Sequence, residues 1–352
     1  MFETILTTRQ KYILNLVSSR HGLKQPALLE LIHPIYPTGK VTLLRDLGVL
    51  HKQGLIRIEG RAQNTTYFPL YSNPLLIPFD PERYFVDSAD ERPSVKQSFT
   101  YDIFDNLHDL LLPSELDSLK SHLIFSQSTK TIGQTIRKRE LERFCVELSW
   151  KSSEIEGNTY SLFETDNLLM GGTKAPGKTP AETQMILNHK TAFDTILEYH
   201  LDFKTLTSSL VLELHNQLAH KLDIDTGIRK HAVGITGTRY LPIGNPHQLR
   251  EYFDKIIDTI NKTEHPFEKA MIAGTMIPYL QPFADGNKRT GRMLTNAILL
   301  AHDYYPLSYR SVDKNTFKKA LLLFYEQNSL VAFKNLLLEQ LAFSHSHYFR
   351  TN

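Results

Sequence analysis

The stretch Tyr279–Arg292, reading YLQPFADGNKRTGR, most narrows what this chain can fold into. Ahead of it Ala273, Met276, Ile277 and Leu280 recur at helical spacing, and after it Leu294, Ala297, Ile298 and Ala301 do the same. The turn is therefore predicted to be held between two core helices. Its residue types suit a phosphate. Asp285 is a hard oxygen ligand for a divalent cation, and Gly286 lets backbone amides approach an anion at a helix start. Arg289 and Arg292 lie three apart, share a helix face and can grip two phosphates as bidentate donors.

On these residues the stretch resembles the signature of the Fic (Fido) family, H-P-F-x-D/E-G-N-G-R-x-x-R. It matches at Pro282, Phe283, Asp285, Gly286, Asn287, Arg289 and Arg292, and departs at Gln281, the place of the family's histidine, and at Lys288, the place of a glycine. The resemblance implies a helical core over about residues 95 to 340 that moves AMP from Mg-ATP onto a hydroxyl of a target protein. Carried over, Gly286, Asn287, Lys288, Arg289 and Arg292 bind the nucleotide, Asp285 holds Mg2+, and Gln281 takes the catalytic position. A neutral amide cannot accept the hydroxyl proton, although it can hydrogen-bond the acceptor. Lys288 also resembles the loop of Doc, the kinase-like branch that transfers a γ-phosphate. Three readings stay open: a weak, autoinhibited AMP transferase; a non-catalytic nucleotide-sensing regulator; and a Doc-like phosphotransferase.

In WKSSEIEGN, Ser152 and Glu156 are four apart on a last helical turn that Gly157 and Asn158 stop. Beside the signature, this resembles the family's inhibitory motif S/T-x-x-x-E-G/N. That implies an inhibitory helix ending near 157, with Ser152, Glu156 and Gly157 as its motif and Glu156 paired to Arg292. Further on, Val233, Ile235, Tyr240 and Leu241 flank a predicted hairpin turn. Residues Gly234, Ile235, Thr236, Gly237, Thr238 and Arg239 resemble the Fic flap, which receives an extended segment of the target.

The net charge of +2 is unevenly spread. Residues 1 to 70 hold nine Lys/Arg against four Asp/Glu, hence +5, which leaves −3 for the remainder. This basic end reads as helices over about Thr8 to Ser19, Pro26 to Ile32, and from near Thr38 through Val41, Leu44, Leu47 and Leu50 to Gly54, then two strands, LIRIEG and TTYFPL. The order resembles a winged helix-turn-helix. Lys40, Thr42, Arg45 and Lys52 would face a DNA groove and Arg61 a phosphate if the module binds DNA, and the same order also suits a protein-interaction or dimerisation module. The expected fold class is mainly α, a Fic-type core with a small β-hairpin flap plus an amino-terminal winged-helix (α+β) domain. The expected domains are 1–72, a linker over 73–94 and the Fic domain over 95–345.

The remaining readings are local. A helix is predicted over Pro113 to Phe125, and a longer one takes in Leu141, Phe144, Cys145, Leu148 and Ser152. GGTKAPGKTP lacks phosphate-loop spacing and reads as a surface connection. His189, His215 and His220 are expected at the surface or at caps, and the tail FSHSHYFRTN is expected to fray. Cys145, the single cysteine, is predicted to be a buried thiol. With no run approaching eighteen apolar residues and no signal-peptide layout, the expected setting is cytoplasmic, with ATP, a target protein and DNA as partners, no membrane, and room for a homodimer.

Overall fold

In a computed structural model of the chain, residues 6–20, 22–61, 64–71, 73–92, 95–120, 125 and 133–349 are described. They are mainly helical, with one small three-stranded sheet, as the fold class required. The chain divides into two compact units: Met1–Leu110 with Thr236–Tyr240 and Leu322–Ala332, and Leu111–Ile235 with Leu241–Leu321 and Phe333–Asn352.

In the first unit, α1 (Thr8–Ser19) starts at a capping box. Thr7 Oγ1 accepts from the Gln10 amide at 3.2 Å, while Gln10 Oε1 accepts from the Thr7 amide at 3.0 Å. Helix α2 (Gln25–Ile32) carries Pro26 in its first turn, and α3 (Lys40–Lys52) stops before Gly54, whose φ is +69°. Strands β2 (Ile56–Glu59) and β3 (Thr66–Pro69) pair antiparallel with Ile58 opposite Tyr67. A two-residue β1 (Leu23–Lys24) lies on the other edge of β3, giving the order β1-β3-β2. So short a strand has no period-two pattern to find, which is why the sequence reading missed it.

The apolar face of α3 differs from the expected one. Val41 and Leu44 are 72% and 41% exposed, and Leu43, Leu47 and Leu50 are buried instead. Asp46 lies among those buried residues and decides the rotation. Its carboxylate accepts from Arg9 Nε at 2.6 Å and Gln10 Nε2 at 3.0 Å, so this side of α3 turns toward α1.

The expected hairpin flap at residues 234–239 is not formed; Thr236 and Gly237 make an isolated turn with no ladder. The Gly237 carbonyl instead accepts from Arg92 Nη2 at 2.5 Å, and Arg239 donates to the Arg92 carbonyl. Arg92 is itself fixed by Glu326, fully buried, at 2.6 and 2.9 Å, and Tyr84 of α4 (Pro81–Tyr84) donates to the same carboxylate at 2.7 Å. A paired, hydrogen-bonded charge of this kind holds its geometry because breaking it strands a buried ion.

The second unit contains α5 (Pro113–Lys120), α6 (Gln134–Ile155), α7 (Leu162–Gly171), α8 (Pro180–Tyr199), α9 (Ser208–Ala219), α10 (Pro246–Lys262), α11 (Pro266–Leu280) and α12 (Asn287–Ala301). Helices α13 (Lys314–Gln327) and α14 (Val331–His347) have residues in both units. The helix expected over Pro113 to Phe125 is seen to Lys120; residues 121–124 lie outside the described residues. Cys145 is buried, which pushes its thiol up to about 12. The tail is packed rather than frayed as far as Phe349. Tyr348 is fully buried, donates to the Glu147 carboxylate and lies 2.8 Å from Ser308 Oγ. No helix among the described residues is long and apolar enough to cross a membrane.

At the centre, α11 is buried on every side from Phe267 to Leu280, and α12 is buried throughout apart from Lys288. Two glycines let them approach. A Cβ at Gly274 would lie 2.8 Å from Thr295 Oγ1, and one at Gly291 would lie 3.0 Å from Pro278 Cγ. Gly274→Val is expected to cost about 1–3 kcal/mol through overpacking. Urea denaturation followed by circular dichroism checks this, and an unmoved midpoint contradicts it.

Candidate functional site

The loop between α11 and α12 is built by backbone conformations few residues tolerate. Gln281 closes α11 in the left-handed region at φ 52°, and Gly286 opens α12 at φ 82°. Pro278 in the last turn of α11 has no N–H, and its carbonyl accepts from Gln281 Nε2 at 2.6 Å. Asn287 ties the loop together: its Nδ2 donates to Gln281 Oε1 at 2.8 Å and to the Phe283 carbonyl at 2.9 Å, while its Oδ1 accepts from the Phe283 amide at 2.9 Å. Both ends of the Gln281 amide are therefore engaged.

Arg229 clamps the loop from outside. It donates to the carbonyls of Gln281 at 2.6 Å, His231 at 2.5 Å and Ile243 at 2.5 Å, and its amide donates to the Pro282 carbonyl at 2.9 Å. Phe283 stacks on His215 with centroids 3.8 Å apart. His215 and His189, expected at the surface, are fully buried. Burial, followed by the nearby arginine charges, pushes His189 down to about 3 and His215 down to about 4, so both rings are neutral at ordinary pH.

The first two turns of α12 gather the cations. Arg289 is 3% exposed, donates to Asp285 Oδ2 at 3.0 Å and to the Leu218 carbonyl at 3.3 Å, and has its pKa lowered by burial. Arg292 is 2% exposed and donates through Nε to Ser152 Oγ and through Nη2 to the Ser152 carbonyl, both at 2.9 Å. Ser152 Oγ also lies 2.8 Å from His189 Nε2, which seats α6 against α8. Glu156, the cap of α6, stands between two cations: Oε1 is 2.8 Å from Arg292 Nη2 and Oε2 is 3.0 Å from Lys288 Nζ. The Arg292 contact is a close charge pair, and among the described residues Arg292 Nη1 is buried with no hydrogen-bond partner. An uncommitted cationic donor in a buried place is costly unless an anion uses it.

Burial works against ionisation of Glu156, but Arg292 and Lys288 outweigh it and hold the carboxyl at about 2. A carboxyl depressed on folding stabilises fully above its unfolded pKa of about 4.5 and loses that contribution as pH falls toward 2. The ceiling is roughly 3 kcal/mol. The stability gap between the wild type and Glu156→Gln is expected to be constant from pH 5 to 8 and to shrink below pH 4.5. Urea denaturation across this range measures it, and a gap that widens in acid contradicts it.

The loop therefore brings together Gln281, Asp285, Gly286, Asn287, Lys288, Arg289 and Arg292, with Ser152 and Glu156 joined to them; Gly157 is exposed and its amide donates to the Glu154 carbonyl instead. Asp285 is 72% exposed, and among the described residues no three His, Cys, Asp or Glu side chains cluster to hold a metal. Arg229, His189 and His215 were missed as site residues. An arginine inside GIRKH carries no local signal that one of its targets is a carbonyl 52 residues away. Lys40, Arg45, Lys52 and Arg61 are exposed and Thr42 is half-buried.

Residues 205–299 match the family described as Fic/DOC family. The chain is 25% identical over 194 residues to a protein adenylyltransferase Fic of Nematostella vectensis, covering 54% of this chain and 45% of that protein. It is 29% identical over 159 residues to the protein adenylyltransferase fic-1 of Caenorhabditis elegans, covering 44% and 31%. The chain thus spans less than half the length of these curated relatives. In fold it is similar to a Fic domain containing signaling protein from Bacteroides thetaiotaomicron, with a TM-score of 0.57 at 22% identity over 66% of this chain and 94% of that one. Fic-1 from C. elegans gives 0.56 at 18% identity over 96% and 97%. By the family match and these relatives, it is over residues 205–299 that the chain is similar to the Fic/DOC family.

Proposed function

We propose that this chain binds ATP at the loop 281–292 and transfers AMP to a protein hydroxyl, held off by Glu156 and slowed by Gln281. The observation that carries this is Glu156 seated between Arg292 and Lys288, on a guanidinium with one buried donor that has no hydrogen-bond partner among the described residues. Arg289 and Arg292 would grip the phosphates from α12, with the amides beyond Gly286 facing the anion. Asp285, exposed and oxygen-bearing, fits as the single carboxylate of a hard divalent cation. Magnesium, carried in on the nucleotide, would supply charge neutralisation at the phosphates when bound.

In the transfer, the target oxygen bonds to the α-phosphorus, the bond to the bridging oxygen breaks, and pyrophosphate leaves with the electron pair. The hydroxyl proton must go elsewhere, and Gln281 offers no basic site; both ends of its amide are already bonded to Asn287 and Pro278. Water is the acceptor in this reading. The same engagement of Gln281 favours a second reading, in which nucleotide binding is retained as a sensor and transfer is absent. Labelled ATP separates them. Label from the α-phosphate on protein supports transfer, label from the γ-phosphate supports a Doc-like phosphotransfer, and silence restored by Gln281→His supports the sensor.

For residues 1–72, followed by a linker over 73–94 and the catalytic domain over 95–345, we propose a winged-helix module that binds duplex DNA. Exposed Lys40, Arg45, Lys52 and Arg61 support it, with half-buried Thr42 beside them. The exposed Val41 and Leu44 on α3 would meet apolar base edges. Retention of a genomic fragment pool in a gel shift at low salt, lost as salt rises, is expected; no retention at low salt contradicts it. Pairing of two copies is left to the same module.

A further inference from the structure

Within the first unit lies a cavity of about 450 Å³, well away in sequence from the loop 281–292. Its walls are partly apolar, with Leu75, Phe79 and Ile103 among them, yet two lysines reach in. Lys11 comes from α1 and donates to Gln327 Oε1, with Nζ 5.8 Å from the centre of the Phe79 ring. Lys96 donates to Asn328 Oδ1 at 2.5 Å and to Thr100 Oγ1 at 3.5 Å, all neutral oxygens. Of the nearby carboxylates, Asp102 lines the cavity, and Glu326 is committed to Arg92 and Tyr84. Among the described residues that line the space, two lysines therefore stand against one carboxylate.

We propose that this cavity binds a small organic acid, an apolar or aromatic body carrying one anionic head that sits between Lys11 and Lys96. The size is that of an ordinary small-molecule pocket, with an apolar lining and few charged groups to fix orientation. Two ammonium groups that line one cavity and are each half-buried repel each other, and an anion between them relieves that repulsion. Burial, and then repulsion from Lys96, pull Lys11 down to about 7, while Glu326 works the other way. Burial likewise lowers Lys96 against the pull of Asp102. Arg92 and Tyr84 face Glu326, and Tyr12 and Tyr36 line the cavity with Lys11. Affinity for an anion should therefore be high at pH 6 and fall about tenfold by pH 8.5 as Lys11 loses its proton.

The test uses the full chain and the fluorescent aromatic sulfonate 8-anilinonaphthalene-1-sulfonate, displaced by decanoate or by the neutral decanol. One saturable site is expected, emptied by decanoate and hardly by decanol, with affinity at least tenfold weaker in Lys96→Met and retained in Lys96→Arg. Asn15→Trp, a substitution on the exposed part of the cavity wall that leaves both lysines in place, should block uptake. Thermal melts confirm that each variant is folded. Equal displacement by decanol, affinity unchanged in the Lys11→Met/Lys96→Met double variant, uptake by Asn15→Trp equal to wild type, or no uptake at millimolar probe would each overturn the proposal.

Discussion

Glu156→Gly is expected to tighten Mg-ATP binding by about 10–100-fold and to raise labelling of protein from the α-phosphate of ATP. The size follows from one charge-assisted contact, worth about 1.5–3 kcal/mol, becoming available to the nucleotide. In the wild type the Arg292 guanidinium is shared among Ser152 and Glu156, and Lys288 holds the other carboxylate oxygen at 3.0 Å. Lys288 makes this lock tighter than the glycine of the family signature would. Lys288→Gly should therefore release it in part, by a smaller factor than Glu156→Gly, because the Arg292 pair survives. Filter binding of labelled ATP and autoradiography of lysate targets read both. Equal affinity in wild type and Glu156→Gly would mean that Arg292 is not a phosphate ligand.

Restoring a base is the second large effect. With Glu156→Gly as background, Gln281→His is expected to raise the single-turnover rate of AMP transfer by about 10²–10⁴-fold, the usual contribution of a positioned base. The position suits an imidazole: the residue is at the left-handed cap of α11, its backbone carbonyl is fixed by Arg229, and it is half-buried. Asn287 now donates to the Gln281 side-chain oxygen at 2.8 Å and can donate likewise to an imidazole nitrogen, which would fix the tautomer. The increase should follow the deprotonation of one group near neutrality. A rate equal to that of the glutamine form would place proton removal elsewhere or show that chemistry does not limit transfer.

How much of this was legible in the sequence depended on range. The pairing of α11 and α12 about a polar loop was legible because apolar residues repeat at 273, 276, 277 and 280 and again at 294, 297, 298 and 301. Glu156 meeting Arg292 was reached only through the motif, since no local pattern links residues so far apart. Lys288 joining them was not foreseen; its cation was read as a phosphate neighbour and instead faces Glu156. The flap failed as a hairpin because Arg92, 145 residues away, bonds the Gly237 carbonyl. The histidines failed for the opposite reason. His189 and His215 look polar in the sequence, but Ser152 bonds the first, and Thr290 and the stacked Phe283 ring accompany the second into the interior. On α3, Leu43 displaced Leu44 because both fit a helical stripe with Leu47, and only the Asp46 contacts to Arg9 and Gln10 select between them.

Titration calorimetry of Mg-ATP into wild type, Glu156→Gly and Glu156→Gly/Arg292→Ala bears most directly on the phosphate site. One site that is at least tenfold tighter in Glu156→Gly than in wild type, and weakened again when Arg292 is removed, is the predicted result. Absence of ATP binding by the Glu156→Gly protein, or binding indifferent to Arg292, would contradict it.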